Sequence, residues 1–114
     1  MKYDLEERVA KFGEDIIDFS KSVPKNEITK SLIDQIVRSG TSIGANYMEA
    51  NEASSKKDFR NKIKICCKEA RETKRWLRMI AHADDKSAAS SKVLWKEADE
   101  INRIFGAIAR KSGV

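Results

Sequence analysis

The stretch FRNKIKICCKEARETKRWLRMI, running from Phe59 to Ile80, decides the fold. Phe59, Ile63, Cys66, Ala70, Thr73, Leu77 and Ile80 recur at alternating spacings of four and three residues for three heptads. Small and apolar side chains at that period form a single stripe along an α-helix. The residues between them are mostly charged, so the helix has one buried seam and one solvated face. Ser55 followed by Asp58 reads as a capping-box start for this helix.

The same repeat extends in both directions. Leu5, Val9, Phe12, Ile16 and Phe19 carry it near the N-terminus, behind a capping-box-like Asp4 and Glu7. Pro24 and Asn26 end that helix and open a second one, with Asn26 as N-cap. In the second helix Ile33, Ile36, Gly40, Ile43, Tyr47 and Ala50 hold the seam. Ser54-Ser55 then breaks the pattern, and the polar run Ala83 to Ser91 connects the third helix to a fourth. Leu94, Ala98, Ile101, Phe105 and Ile108 form the last seam. Four amphipathic helices with short connections predict an all-α, up-down-up-down four-helix bundle, a single domain over residues 1–114.

Composition agrees. One proline and five glycines leave little material for turns, and 36% of the chain is charged. No apolar run reaches the roughly 20 residues that span a bilayer, and the acidic N-terminus does not resemble a signal peptide. No membrane association and a cytoplasmic location are therefore expected. Cys66 and Cys67 are adjacent and have no further cysteine with which to build a disulfide framework or a zinc site. The one histidine, His82, is preceded three residues earlier by Met79, so the Glu-x-x-His pairs of di-metal bundles are missing. Phosphate-cradling glycine loops and nucleophile–base pairs are missing too. Neither catalysis nor a metal or other cofactor is expected.

Gly40 and Gly44 stand inside the second helix, where each glycine costs roughly 1 kcal/mol against alanine. Val37, Thr41, Gly44 and Met48 make one small, apolar flank beside the seam. Gln35, Ser39, Ser42, Asn46 and Glu49 make the other, which is polar. Small residues four apart let a second backbone approach closely, so Gly40, Gly44 and Met48 are candidate contact residues within the bundle or between subunits. A kink at the glycines is the alternative. Ser42, Asn46 and Glu49 are candidates for a structural polar network, since a buried unpaired group costs about 1–3 kcal/mol.

The third helix also concentrates charge. Lys56 to Arg78 holds ten Lys or Arg and three acids, a net +7 in a chain of net +5. Lys57, Lys64, Arg71 and Arg78 fall every seven residues, with Lys68 and Arg75 in the gaps. These six form one outward ridge, a candidate site for RNA or DNA phosphates; a plain solvated face is the alternative. No aromatic alternates with the ridge, so base stacking on single strands is not indicated. On the opposite flank Ile65 and Trp76, with Glu69 and Glu72 between them, are candidates for a subunit or partner interface. Trp95 is a second candidate anchor, or a cap on the end of the core.

Ser42-Ile43-Gly44-Ala45-Asn46-Tyr47-Met48-Glu49-Ala50, then Ser55-Lys56-Lys57-Asp58-Phe59, then Lys68-Glu69-Ala70 and Glu72-Thr73 ahead of Trp76-Leu77, together resemble the 23S rRNA intervening-sequence protein (S23) family. The resemblance covers the chain from about Ile33 to its end. Ala50 departs from it, since many members have glycine directly after the hallmark glutamate. The resemblance implies a four-helix bundle assembled into a ring-shaped homopentamer. Some members are encoded inside intervening sequences of 23S rRNA genes. A structurally similar accessory protein of diversity-generating retroelements binds nucleic acid and a reverse transcriptase, which makes a reverse transcriptase an implied class of partner.

Overall fold

A computed structural model describes residues 4–112. Four helices follow one another: α1 (Leu5–Ser22), α2 (Glu27–Asn51), α3 (Lys56–Ala83) and α4 (Ala88–Lys111). A single 3-10 turn, Asp85–Ser87, leads into α4. Cross-helix contacts fix the directions. Ser39 meets Thr73 and Glu49 meets Lys62; Leu77 meets Ser91 and Lys74 meets Asp99. Ile16 lies against Gly40 and Val9 against Gly44. In each pair of successive helices a step forward on one is a step back on the next, which is the up-down-up-down course. Packing is closest between α2 and α3 and between α3 and α4, and lighter between α1 and α2 and between α1 and α4.

The helix starts are capped where the sequence dictates, and the return bond of a capping box is present at α2. The Asp4 side chain accepts from the Glu7 amide at 3.0 Å. Asn26 accepts from the Ile28 and Thr29 amides, both at 2.9 Å. The Thr29 hydroxyl accepts in return from the Asn26 amide, closing a full capping box. Ser55 caps α3 through the Asp58 amide at 3.0 Å. Only the last boundary differs from expectation. Helix α4 starts at Ala88, inside the run expected to be a connection. Ser91 is the reason: it is 2% exposed and its hydroxyl donates to the Leu77 carbonyl at 2.6 Å. A residue that looks like a loop in sequence is thereby a satisfied packing residue in the first turn of α4.

One core cluster joins all four helices. Phe12, Ile16, Ile36, Ile43, Ile63, Leu77, Ile80, Ile101 and Phe105 lie at its centre with less than 2% exposure. Tyr47 closes on Phe105 edge-to-face, with ring centroids 5.3 Å apart.

Helix α2 runs unbroken through both glycines, so they mark a contact and not a break. The contact lies inside the bundle. A Cβ on Gly40 would stand 2.9 Å from Cγ1 of Ile16, closer than atoms can pack. Gly13 of α1 reciprocates, with the Gly40 carbonyl and the Thr41 Cα each 3.7 Å from where its own Cβ would be. Gly40 is buried by α1, so of the two contacts expected there it makes the one within the bundle. Gly44 is less demanding: its nearest neighbour would be a Val9 methyl at 3.5 Å, an ordinary contact.

Candidate nucleic-acid interface

Helix α3 turns its seam inward and its charge outward. Ile63, Cys66, Ala70, Leu77 and Ile80 are fully buried, as is Thr73, while Phe59 is half-buried. Lys57, Lys64, Lys68, Arg71, Arg75 and Arg78 are all exposed. The 28-residue helix holds them in register, because a seven-residue repeat returns to nearly the same side after two turns. Over the 14 residues from Lys64 to Arg78 the ridge extends about 21 Å. Among the described residues, none of these six cations has an acid within ion-pair distance. The ion pairs on other faces use Arg8, Lys11, Arg38, Lys62, Lys74 and Arg103. The ridge therefore combines clustering with cations that make no direct ion pair, Lys68 feeling Glu72 only through space.

The polar flank of α2 bonds in part along its own helix and in part to α3. Ser42 and Asn46 are half-buried and bond along their own helix, the Ser42 hydroxyl to the Arg38 carbonyl at 2.6 Å and the Asn46 amide to the Ser42 carbonyl at 2.9 Å. Glu49 is exposed and takes the Lys62 ammonium at 2.8 Å. That hydrogen bond holds the Lys62 pKa above its ordinary value. Asn46 reaches the Ser42 backbone, but the three side chains do not bond to one another, so they make no joint side-chain network. Their side chains satisfy backbone carbonyls or make a surface ion pair instead.

Polar links between α2 and α3 form one turn nearer the middle. Thr73 is fully buried and its hydroxyl lies 2.9 Å from the buried Ser39 hydroxyl and 2.8 Å from the Glu69 carbonyl. On the outside Arg38 reaches both Glu69, at 3.4 Å, and Glu72, at 2.9 Å. Burial pushes the Glu69 carboxyl above the ordinary range. The Arg38 hydrogen bond pulls that of Glu72 below it. The signal for this bridge in the sequence is the Glu69/Glu72 pair, one turn apart on the facing flank.

Ile65 and Trp76 are both half-buried, and Trp76 packs against the core cluster. Its indole nitrogen is buried without a hydrogen-bond partner among the described residues. Met48 is 51% exposed and lines a groove of about 360 Å³ between α1 and α2 with Val9, Ala10, Gly44 and Ile17; Glu6, Glu7 and Glu14 rim it.

Reactive groups are few. Burial pushes the Cys66 thiol up to about 12, and its sulfur rests 3.5 Å from the Ile43 carbonyl. Cys67 is raised as well, again by burial. Both stay thiols and behave as small core side chains. Among the described residues no cluster of His, Cys, Asp and Glu is composed to hold a metal ion. No helix among them is long and apolar enough to cross a membrane.

The model of the family described as 23S rRNA-intervening sequence protein matches residues 1–107. The chain belongs to that family. Its fold is shared by a crystal structure of a protein of unknown function of the S23 ribosomal protein family from Bacteroides thetaiotaomicron. The two chains are 31% identical and superpose with a TM-score of 0.82, over 93% of this chain and 98% of the other. No functionally curated protein matches. Membership accounts for the bundle, and the match begins ahead of Ile33, where the sequence resemblance was first legible.

Proposed function

We infer that this family member is a non-enzymatic, oligomeric nucleic-acid-associated protein of the cytoplasm. It holds RNA or DNA by the phosphate backbone along the α3 ridge and serves as a scaffold or accessory factor. The supporting observation is that six exposed cations share one side of one helix and none lies within ion-pair distance of an acid among the described residues. Lys and Arg that release condensed counterions bind phosphates without reading sequence. A ring of five, as the family resemblance implies, would present the ridge five times and raise affinity through effective concentration.

Fluorescence anisotropy with labelled RNA and DNA, from low to physiological salt, tests this reading. Tight binding that falls steeply with salt is expected, with a log–log slope of about −0.9 per phosphate contacted on duplex. Reversing Lys64, Lys68, Arg71, Arg75 and Arg78 to Glu should abolish it while the helical circular-dichroism spectrum stays. Failure of the wild-type protein to bind at low salt would overturn it.

A second reading, a protein-interaction module without a nucleic-acid role, draws on the acid-rimmed apolar groove between α1 and α2. It is favoured if oligonucleotides do not bind and a specific protein partner is retained through that groove.

A further inference from the structure

The ridge does not end in solvent. Arg78, its last member, forms one wall of a hollow of about 290 Å³ between the end of α3 and the start of α4. Ala81, Ala88, Ser91, Lys92 and Trp95 form the rest. Trp95 is 38% exposed, one of few large apolar side chains left open to solvent among the described residues. Its position is set from α3, because the Lys74 ammonium sits 5.0 Å from the ring centroid and is itself tied to Asp99 at 2.9 Å. A basic ridge thus runs into a small, mostly apolar hollow containing a held indole and flanked by two cations, Arg78 and Lys92. No aromatic on α3 alternates with the ridge; this one is delivered to it by α4.

We propose that the Arg78–Lys92–Trp95 hollow is a subsite for one unpaired base of a single-stranded polynucleotide. The base stacks on the Trp95 indole, and its flanking phosphates lie against Arg78 and Lys92. The proposal rests on the nucleic-acid reading of the ridge and adds to it a preference for single strands. Phosphate contacts alone hold duplex and single strand by the same chemistry. An indole platform favours the strand whose base is free to turn toward it, whatever its sequence, because every base has a π-face. The hollow lies near the lower end of the roughly 300–1,000 Å³ usual for small-molecule sites, which suits one base and not a duplex end. Stacking is indifferent to the sugar, so RNA and DNA strands are both candidates.

The test is anisotropy with mixed-sequence 20-mers of single-stranded RNA, single-stranded DNA and the matching duplexes. The proteins are the wild type, Trp95→Leu and Trp95→Phe, each with its melting curve recorded. Trp95→Leu should weaken single-strand binding by at least about fivefold. It should leave duplex binding and the salt slope as they were, and Trp95→Phe should restore most of the loss. The RNA and DNA arms identify which strand the hollow takes, and the loss in either supports the subsite. Quenching of the remaining indole in a Trp76→Phe background, on adding that strand, gives a second readout. Should Trp95→Leu leave single-strand affinity unchanged, or lower duplex affinity by the same factor, the subsite is overturned while the ridge stands. If the wild type binds no oligonucleotide at low salt, the ridge reading falls first and the subsite with it.

Discussion

Gly40 and Gly44 look alike in the sequence and differ in what surrounds them. At Gly40 an added methyl would meet Ile16 at 2.9 Å on Cγ1 and at 3.2 Å on Cβ. Ile16 is β-branched and fully buried, so it has no flexible end to swing away. Overpacking of this kind costs typically 1–3 kcal/mol. The better helix propensity of alanine returns roughly 1 kcal/mol at most. Gly40→Ala should therefore lower stability, by about 1–2 kcal/mol in urea denaturation. Gly44→Ala meets only an ordinary contact at 3.5 Å and should raise stability by up to about 1 kcal/mol. Equal effects at the two sites would show that α1 does not approach α2 as closely as described. The heptad pattern placed Gly40 on the seam, but it gave no sign of Gly13. A glycine's role depends on what faces it, and Gly13 faces a residue 27 positions away.

At the level of elements, the seams and starts of the helices were legible because they are local. Periodicity needs only neighbours three and four residues apart, and Asp4, Asn26 and Ser55 act on amides within three residues. The start of α4 and the polar flank of α2 were not, because they are decided across helices. Ser91 becomes helical and buried through the Leu77 carbonyl, and Arg38 becomes a bridge through Glu69 and Glu72. That bridge has a pH signature. Glu72, depressed below its ordinary 4.5 by Arg38, adds stability above that value, and the addition is lost as pH falls through its lowered pKa. Glu69, raised above 4.5 by burial, acts oppositely: its penalty is full above the raised pKa and gone below about 4.5. Arg38→Gln removes the counter-charge from both. Carbon-13 titration of the carboxyls should then show both pKa values moving upward, Glu72 from below its ordinary value and Glu69 further above it. Two unmoved titrations would mean that Arg38 does not bridge the helices in solution.

For the whole molecule, the long axis of 44 Å and the short one of 19 Å describe a flat bundle with distinct faces. One carries the ridge. The α1–α2 side carries the groove in which Met48 is 51% and Ile17 38% exposed, an apolar surface that water does not favour. If the homo-oligomer proposed above is built through this groove, another copy covers it and no different protein docks there. Sedimentation equilibrium should then return a multiple of 12.9 kDa, and Met48→Glu, which sets a carboxylate among Glu6, Glu7 and Glu14, should return the single mass. Ile28→Glu adds the same charge at a 67% exposed position outside the groove and should leave the assembly intact. The two variants separate assembly from charge. If avidity from repeated ridges supports binding, Met48→Glu should weaken the affinity for a long RNA or DNA by one to two orders of magnitude or more, and Ile28→Glu only slightly. A wild-type protein that sediments as a monomer would overturn the oligomer. A monomeric Met48→Glu variant of undiminished affinity would show that one ridge suffices.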